Sequence, residues 1–308
     1  MLFAALAFSF AAAPALARTT HFYESAIRAV PSVGPGGEPV PAPGGLEEIN
    51  SMTANSGDLY VFERIEGEGA AQSKVDQWGP SPSKPGQYEF VSQLPLTPEL
   101  DSGPTGVAFG PLGTETEMYL GQSSFNGTTG VSVFAAGSCA SLACATFQKF
   151  WTGEKAPPGF AVSAVAVDHS TSAGDWATGD VFTSGTGPIE IFEPQAGGEE
   201  EHVGQVTAPS PELGLGAMAV SGFNGDLIAG AGDGSAVYVF RPEEEGVKRG
   251  KYALVRQLTL PGGAPLTAGA VAVDDSTAGT FAGEIYVATG GGVAEFSPEG
   301  VFLGRITG

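Results

Sequence analysis

Three histidines, His21, His169 and His202, are the side chains of this chain best suited to proton transfer or metal ligation near neutral pH. Either chemistry needs them to converge. Their places in the pattern set out below are not equivalent: His21 lies beside an N-terminal apolar run, His169 follows Asp168 in a turn, and His202 opens an outer strand. Asp168 and Asp274 are equivalent, each closing an Ala-Val-Ala-Val run. Carboxylates set among carbonyls suit calcium, so calcium is the one ion the pattern leaves open; the simpler use of each Asp is to bond the amides of its own turn. Gly230-Ala231-Gly232-Asp233-Gly234 lies between two strands instead of opening a helix, which argues against a phosphate cradle. No Gly-x-Ser-x-Gly elbow stands in a strand-to-helix setting. The residues assign no catalytic group, no metal ligand set and no resident cofactor.

Cys139 and Cys144 fall within one short loop. A thiol redox or metal site would want a nearby His and a second Cys pair, so the expectation is a structural disulfide closing a small ring in an oxidising compartment. Export has its own signal: residues 1–17 are Ala, Leu and Phe-rich and end in Pro14-Ala15-Leu16-Ala17, which reads as a secretory signal peptide cleaved after Ala17. The run is too short to span a bilayer, and no later segment approaches that length. A secreted or cell-surface protein is expected, without a membrane span once the signal is removed.

The charge narrows the partners. Among 308 residues, 34 Asp and Glu face 13 Lys and Arg, a formal charge of −21. Polyanions are bound by neutralising phosphates, so nucleic acids and anionic membranes are excluded as natural partners. Only Glu199-Glu200-Glu201 and Glu243-Glu244-Glu245 cluster, and both are expected in turns. With 42% hydrophobic and 15% charged residues the chain can bury a large core, and 47 Gly and 23 Pro cut it into short elements.

Those elements repeat. The last stretch has four apolar runs, 270–274, 283–288, 293–296 and 301–306, each ended by Gly, Pro, Asp or Ser, as four antiparallel strands require. Thr53, Ala108, Ala166, Ala219 and Ala272 hold one equivalent place, at intervals of 55, 58, 53 and 53 residues. Three landmarks recur with it. Strand one keeps small residues, strand three ends in Trp78, Phe134, Phe192, Phe240 or Phe296, and Pro194, Pro242 and Pro298 follow two residues later. A four-stranded sheet apolar on both sides cannot cover itself, whereas sheets set radially cover one another and crowd their first strands at the axis. The expected fold is therefore all-β: a β-propeller of four-stranded antiparallel blades, with five repeats visible at about 51–100, 101–158, 159–211, 212–264 and 265–308. Residues 18–50 hold a strand over Tyr23–Val30 and a Pro/Gly-rich connection. If that strand completes a last blade, the chain is cut short at Gly308 and its parent has six blades or more.

Gly269-Ala270-Val271-Ala272-Val273-Asp274, Gly283-Glu284-Ile285-Tyr286-Val287-Ala288 and Glu295-Phe296-Ser297-Pro298-Glu299-Gly300 resemble the NHL-repeat type of propeller, with similar wording from Ala164 to Phe192. The resemblance runs from about Ser51 to the end, although Gly291-Gly292-Val293 replaces the Asn-Arg pair usual in that family. With no catalytic constellation in the chain, the expected function is that of a secreted, non-enzymatic scaffold that binds an unknown protein or small ligand. By propeller geometry the ligand face is the rim shared by the strand two-to-three and strand four-to-one connections, where Arg64, Gln122 and Asp233 are the candidates. The alternative function is a divalent-cation-dependent propeller hydrolase of the lactonase type.

Overall fold

Short apolar runs broken by Gly, Pro and Asx can pair only with antiparallel neighbours that tight turns bring back within reach. A computed structural model describes residues 32–33, 39–40, 48–55, 58–65, 72–84, 87–96, 104–112, 115–125, 128–136, 142, 145–152, 160–170, 177–185, 187–195, 199–210, 214–243, 250–274 and 281–307. The expected signal peptide, the Tyr23–Val30 strand, His21, Cys139 and Cys144 lie outside these residues.

A two-residue pair, β1 (Ser32–Val33) with β2 (Pro39–Val40), precedes five antiparallel sheets whose strands are adjacent in chain order. Blade 1 is β3 (Glu48–Asn55), β4 (Asp58–Ile65), β5 (Gln72–Pro80) and β6 (Tyr88–Pro95). Blade 2 is β7 (Pro104–Leu112), β8 (Glu115–Phe125), β9 (Thr128–Ala135) and β10 (Thr146–Trp151). Blade 3 is β11 (Ala164–Val167), β12 (Val181–Ser184), β13 (Ile189–Gln195) and β14 (Glu199–Val206); Glu199-Glu200-Glu201, expected in a turn, instead opens β14, because the β13–β14 ladder continues to Gln195 and Glu199. Blade 4 is β15 (Leu215–Val220), β16 (Leu227–Ala231), β17 (Val237–Pro242) and β18 (Tyr252–Gln257), and blade 5 is β19 (Ala270–Val273), β20 (Ile285–Thr289), β21 (Gly292–Phe296) and β22 (Phe302–Ile306). Successive first strands lie side by side, β3 with β7, β7 with β11, β11 with β15 and β15 with β19. The fold is a five-bladed β-propeller.

Small residues at the hub are needed for that approach. A Cβ on Gly106 of β7 would stand 3.0 Å from the amide nitrogen of Val165 in β11. Further out, each joint between blades is filled by apolar side chains from both. Phe62 and Val75 meet Phe109, Met118 and Phe134; Tyr119, Val133 and Trp151 meet Val167, Val181 and Phe192; Phe182, Ile189 and Ile191 meet Leu227, Tyr238 and Phe240; Ile228, Val237 and Val239 meet Ile285, Val287 and Phe296. Four of the five strand-three aromatics thus face the preceding blade, as wedges in a space that widens away from the axis.

Every blade also bulges at its wedge. The register between strands three and four shifts between Gln77 and Trp78, Ile191 and Phe192, Val239 and Phe240, and Glu295 and Phe296, and opposite Val133 and Phe134 in blade 2. Val91, Gln148, Val203, Val255 and Leu303 are the extra residues. A bulge bends its strand and adds twist, so the outer strand curls around the aromatic. Val91 and Val255 are exposed as a result.

Connections between strands three and four reach back over the preceding blade. Leu142 is buried in the joint of blades 1 and 2, and its amide donates to Gln77 Oε1 and Ser92 Oγ of blade 1, 3.0 Å from each. Gly250 lies with its backbone directly on Val203 and Gly204 of blade 3, and Gly300 packs on Arg256 and Leu258 of blade 4. Gly250 has φ +80°, and a Cβ there would strike the Val203 carbonyl. Gly250→Ala is therefore expected to lower stability by about 1–3 kcal/mol in urea melts. Gly262→Ala would carry the same conformational strain (φ +80°) without the clash, because its Cβ would meet nothing. Equal losses for the two would show that the backbone contact contributes nothing.

Candidate functional site

Turn chemistry fixes where the polar groups of each blade stand. The turn from strand one to strand two uses Gly179 (φ 89°), Gly225 (φ 70°) and Gly283 (φ 75°) in blades 3, 4 and 5, positions that favour glycine. Directly after each comes an acid, Asp180, Asp226 or Glu284; Asp58 and Glu117 hold the same place in blades 1 and 2. Five carboxylates therefore sit at one end of the propeller, each near the start of strand two.

Most of them have a donor on their own blade. Arg241 gives Asp226 a two-pronged contact, Nε to Oδ1 at 2.7 Å and Nη2 to Oδ2 at 2.6 Å, and Asn224 adds a third bond at 3.0 Å. Gln77 donates to Asp58 at 2.5 Å, the Tyr119 hydroxyl to Glu117 at 2.8 Å, and the Tyr286 hydroxyl to Glu284 at 3.2 Å. Asp180 is buried, and its carbonyl accepts from the Asp168 amide at 3.0 Å. The Asp168 side chain accepts from the Ser170 amide at 2.7 Å, the turn-capping bond expected of it. Among the described residues, no group of three or more His, Cys, Asp or Glu is gathered to hold a metal ion.

The two described histidines, His169 and His202, do not converge. His169 follows β11 and His202 lies in β14, at opposite edges of blade 3, roughly 14 Å apart at the usual strand spacing. Nε2 of His202 stands 2.7 Å from Oε2 of Glu190, and the imidazole packs edge-on against Phe192.

At the opposite end, hydroxyls hold one blade to the next. The Val107 amide donates to Ser51 Oγ at 3.3 Å, Thr129 donates to the Phe160 carbonyl at 3.0 Å, and Ser184 to the Gly216 carbonyl at 2.7 Å. The three sequence candidates come from this end. Asp233 is exposed in the β16–β17 turn, where its carboxylate accepts from the Ser235 amide at 2.9 Å; hydrogen bonding from the Ser235 side chain first, and then from its amide, holds the carboxyl below the usual range. Arg64 lies within β4, opposite Glu48 and Ser73. Gln122 differs from the expected loop setting: β8 and β9 extend the hairpin to Phe125 and Thr128, so Gln122 pairs with Gly130 inside the sheet and its side chain is buried. Around Asp233 the surface is turn backbone and small side chains, Gly232, Gly234, Thr267 and Ala268. Repeated acids after a turn glycine were the missed signal; Gly179-Asp180, Gly225-Asp226 and Gly283-Glu284 are visible in the sequence as a recurring pair.

No family model matches the chain, and a comparison with curated proteins finds no match. Among solved structures it is similar to a periplasmic gluconolactonase of Pseudomonas aeruginosa, at 14% identity over 84% of each chain with a TM-score of 0.48. It is also similar to Chaetomium thermophilum Sqt1 bound to the N-terminus of the ribosomal protein L10, at 16% identity over 84% of this chain and 75% of that one, TM-score 0.48. A third is an auxiliary nutrient binding protein from Bacteroides ovatus, at 14% identity over 84% of this chain and 57% of that one, TM-score 0.49. Among the described residues no helix is long and apolar enough to cross a membrane.

Two outcomes follow from the carboxylate partners. Arg241→Leu leaves the buried Asp226 without its main donor; because Arg241 is half exposed, the expected loss is about 1–2 kcal/mol by urea denaturation, below that of a fully buried pair. Burial and then the nearby Asp58 push the Tyr60 hydroxyl up to about 12, and burial followed by Glu117 and Glu284 raises Tyr119 and Tyr286 as well. A raised folded-state value gives stability that is complete below the ordinary value of 10.0 and is lost as pH climbs through the folded value. Stability should hold up to about pH 10 and fall beyond it, with tyrosinate absorbance rising late and together with unfolding. Early, independent ionisation of all seven tyrosines would contradict this.

Proposed function

We propose that this propeller is a secreted, non-enzymatic binding scaffold of NHL type, which recognises a protein or small ligand across the rim that holds Asp233 and Arg64. One observation carries the reading: the recurring carboxylates Asp58, Glu117, Asp226 and Glu284 are engaged by Gln77, Tyr119, Arg241 and Tyr286 of their own blades. Acids held this way brace the turns that space the blades. Around Asp233 the rim is left to small side chains and turn backbone, a surface that recognises by shape and by a few hydrogen bonds. In this reading Asp233 of blade 4 contacts the ligand, Arg64 belongs to the same rim at blade 1, and Gln122 supports the hairpin of blade 2.

Export through residues 1–17 and a ring closed by Cys139 and Cys144 belong to the same proposal, since an oxidising compartment would suit both. Nutrient binding and protein binding are named for two of the similar structures, and lactone hydrolysis for another. A cation-dependent hydrolase would need carboxylates free to hold the ion, and the braces bind them instead.

Melting the protein with millimolar calcium and again with a chelator separates the two. The expected result is the same midpoint in both. A rise of several degrees with calcium would overturn the scaffold reading, because an ion held by the native state must stabilise it.

A further inference from the structure

The outer strands β6, β10, β14, β18 and β22 each have one edge unpaired among the described strands. An open edge is a template for another strand, and natural sheets blunt it with charge, proline or a bulge. All five strands have the bulge. To it β6 adds exposed Glu89, β14 exposed Glu199 and Glu201, and β22 exposed Arg305. In β18 the only charged side chain, Arg256, is half-buried where Gly300 of blade 5 packs on it. Ala253, Leu254 and Val255 instead follow one another on the surface, Leu254 47% and Val255 37% exposed.

Hydrogen bonding within blade 4 shows which backbone groups of β18 are left for a partner. The Glu243 amide donates to the Lys251 carbonyl at 3.0 Å, and the Leu258 amide to the Val237 carbonyl at 2.9 Å. Inward and outward residues alternate in an antiparallel ladder, so Ala253 and Arg256 also face β17, while Leu254 and Gln257 turn their amides to the open edge. Side chains alternate as well. Tyr252 and Leu254 lie on the side of blade 3, where Tyr252 meets Phe182, and Lys251 and Ala253 lie on the side of blade 5. Charge marks the second side: from Gly250 to Val273 the chain has Lys251 and Arg256 and no Asp or Glu, in a protein of net charge −21. Hydrogen bonds to Ser297 and to its own amide, and then the Arg256 guanidinium, hold the Glu299 carboxyl below its usual range, so Arg256 is shared with blade 5. Lys251 is exposed and forms no ion pair among the described residues.

We propose that the outer edge of β18 binds a protein partner by strand addition, taking an extended segment in which apolar and acidic residues alternate. Its backbone pairs with the outward groups of Leu254 and Gln257 and makes a fifth strand of blade 4. Its apolar side chains fall beside Leu254, and its carboxylates fall on the other side, beside Lys251. Val255, pushed outward by the bulge, is covered between them. This edge is separate from the rim that holds Asp233 in the β16–β17 turn.

A fluorescein-labelled octapeptide of alternating Val and Glu, titrated with the full chain and followed by anisotropy, tests the edge. Expected is saturable binding that salt weakens, with hydrogen exchange of the Leu254 and Gln257 amides slowed about tenfold or more while β6, β10, β14 and β22 keep their rates. An alternating Val and Lys octapeptide should bind at least about tenfold more weakly. Val255→Glu and, separately, Lys251→Glu should weaken the acidic peptide by a similar factor, because like charges at a contact repel. Both side chains are exposed, so the fold tolerates the changes. No binding, equal binding of the two peptides, full binding by both variants, or slowed exchange at another outer strand would overturn the proposal. So would dimers of the chain alone with the β18 amides protected, which would make a second copy the occupant. Asp233→Ala should leave peptide binding unchanged, which keeps the result apart from the scaffold reading; a loss there would move the peptide to the rim and also overturn the proposal.

Discussion

A sheet with two apolar faces needs two neighbours, and that requirement organises the molecule. Phe134, Phe192, Phe240 and Phe296 each fill a gap that neither adjoining blade could close alone. The aromatic has to be large because blades diverge away from the axis, and the first strand has to be small because they converge on it. Gly106 against Val165 and Phe192 against Trp151 are the two ends of one taper. The bulge beside each wedge belongs to the same constraint, for a flat outer strand would leave part of the ring bare.

Charge is arranged around that apolar frame. The carboxylates of strand two are taken up by Arg241, Gln77, Tyr119 and Tyr286, and this keeps buried acids from costing the fold what an unpaired charge would. The exception is the corner of Glu63, Lys74 and Asp76, where ions replace the apolar surface found at the other joints. Repeats of one sequence tend to stack without limit unless an end is made different, and a face keyed by charge makes blade 1 a poor seat for blade 5 of another molecule.

Much of this was legible in the sequence, for physical reasons. The interval between Ala166, Ala219 and Ala272 reports the blade, and Ser297-Pro298-Glu299-Gly300 folds as the tight turn its residues dictate, with the Gly300 amide 2.8 Å from the Ser297 carbonyl and φ +73°. The bulges were not legible, since Val91 and Val255 only lengthen the apolar runs Phe90-Val91 and Ala253-Leu254-Val255, and only pairing with the neighbouring strand shows the extra residue. Gln122 looked like part of a loop because Gly121 and Gly130 bracket it, yet both glycines sit in strands where a neighbour leaves no room for a side chain. The ionic corner was hidden for a similar reason: nothing in the sequence around Glu63, Lys74 and Asp76 marks them as enclosed, and only packing reveals it.

The backward reach of Leu142, Gly250 and Gly300 gives the ring a direction. Each rests on the blade made before it, so a growing chain always finds its landing place already formed, and blades can be added in the order in which they are synthesised. Loss runs the other way. Blade 5 is overlapped by no later blade among the described residues, and a chain pulled apart from that side would shed its blades singly, like roof slates lifted from the last course laid.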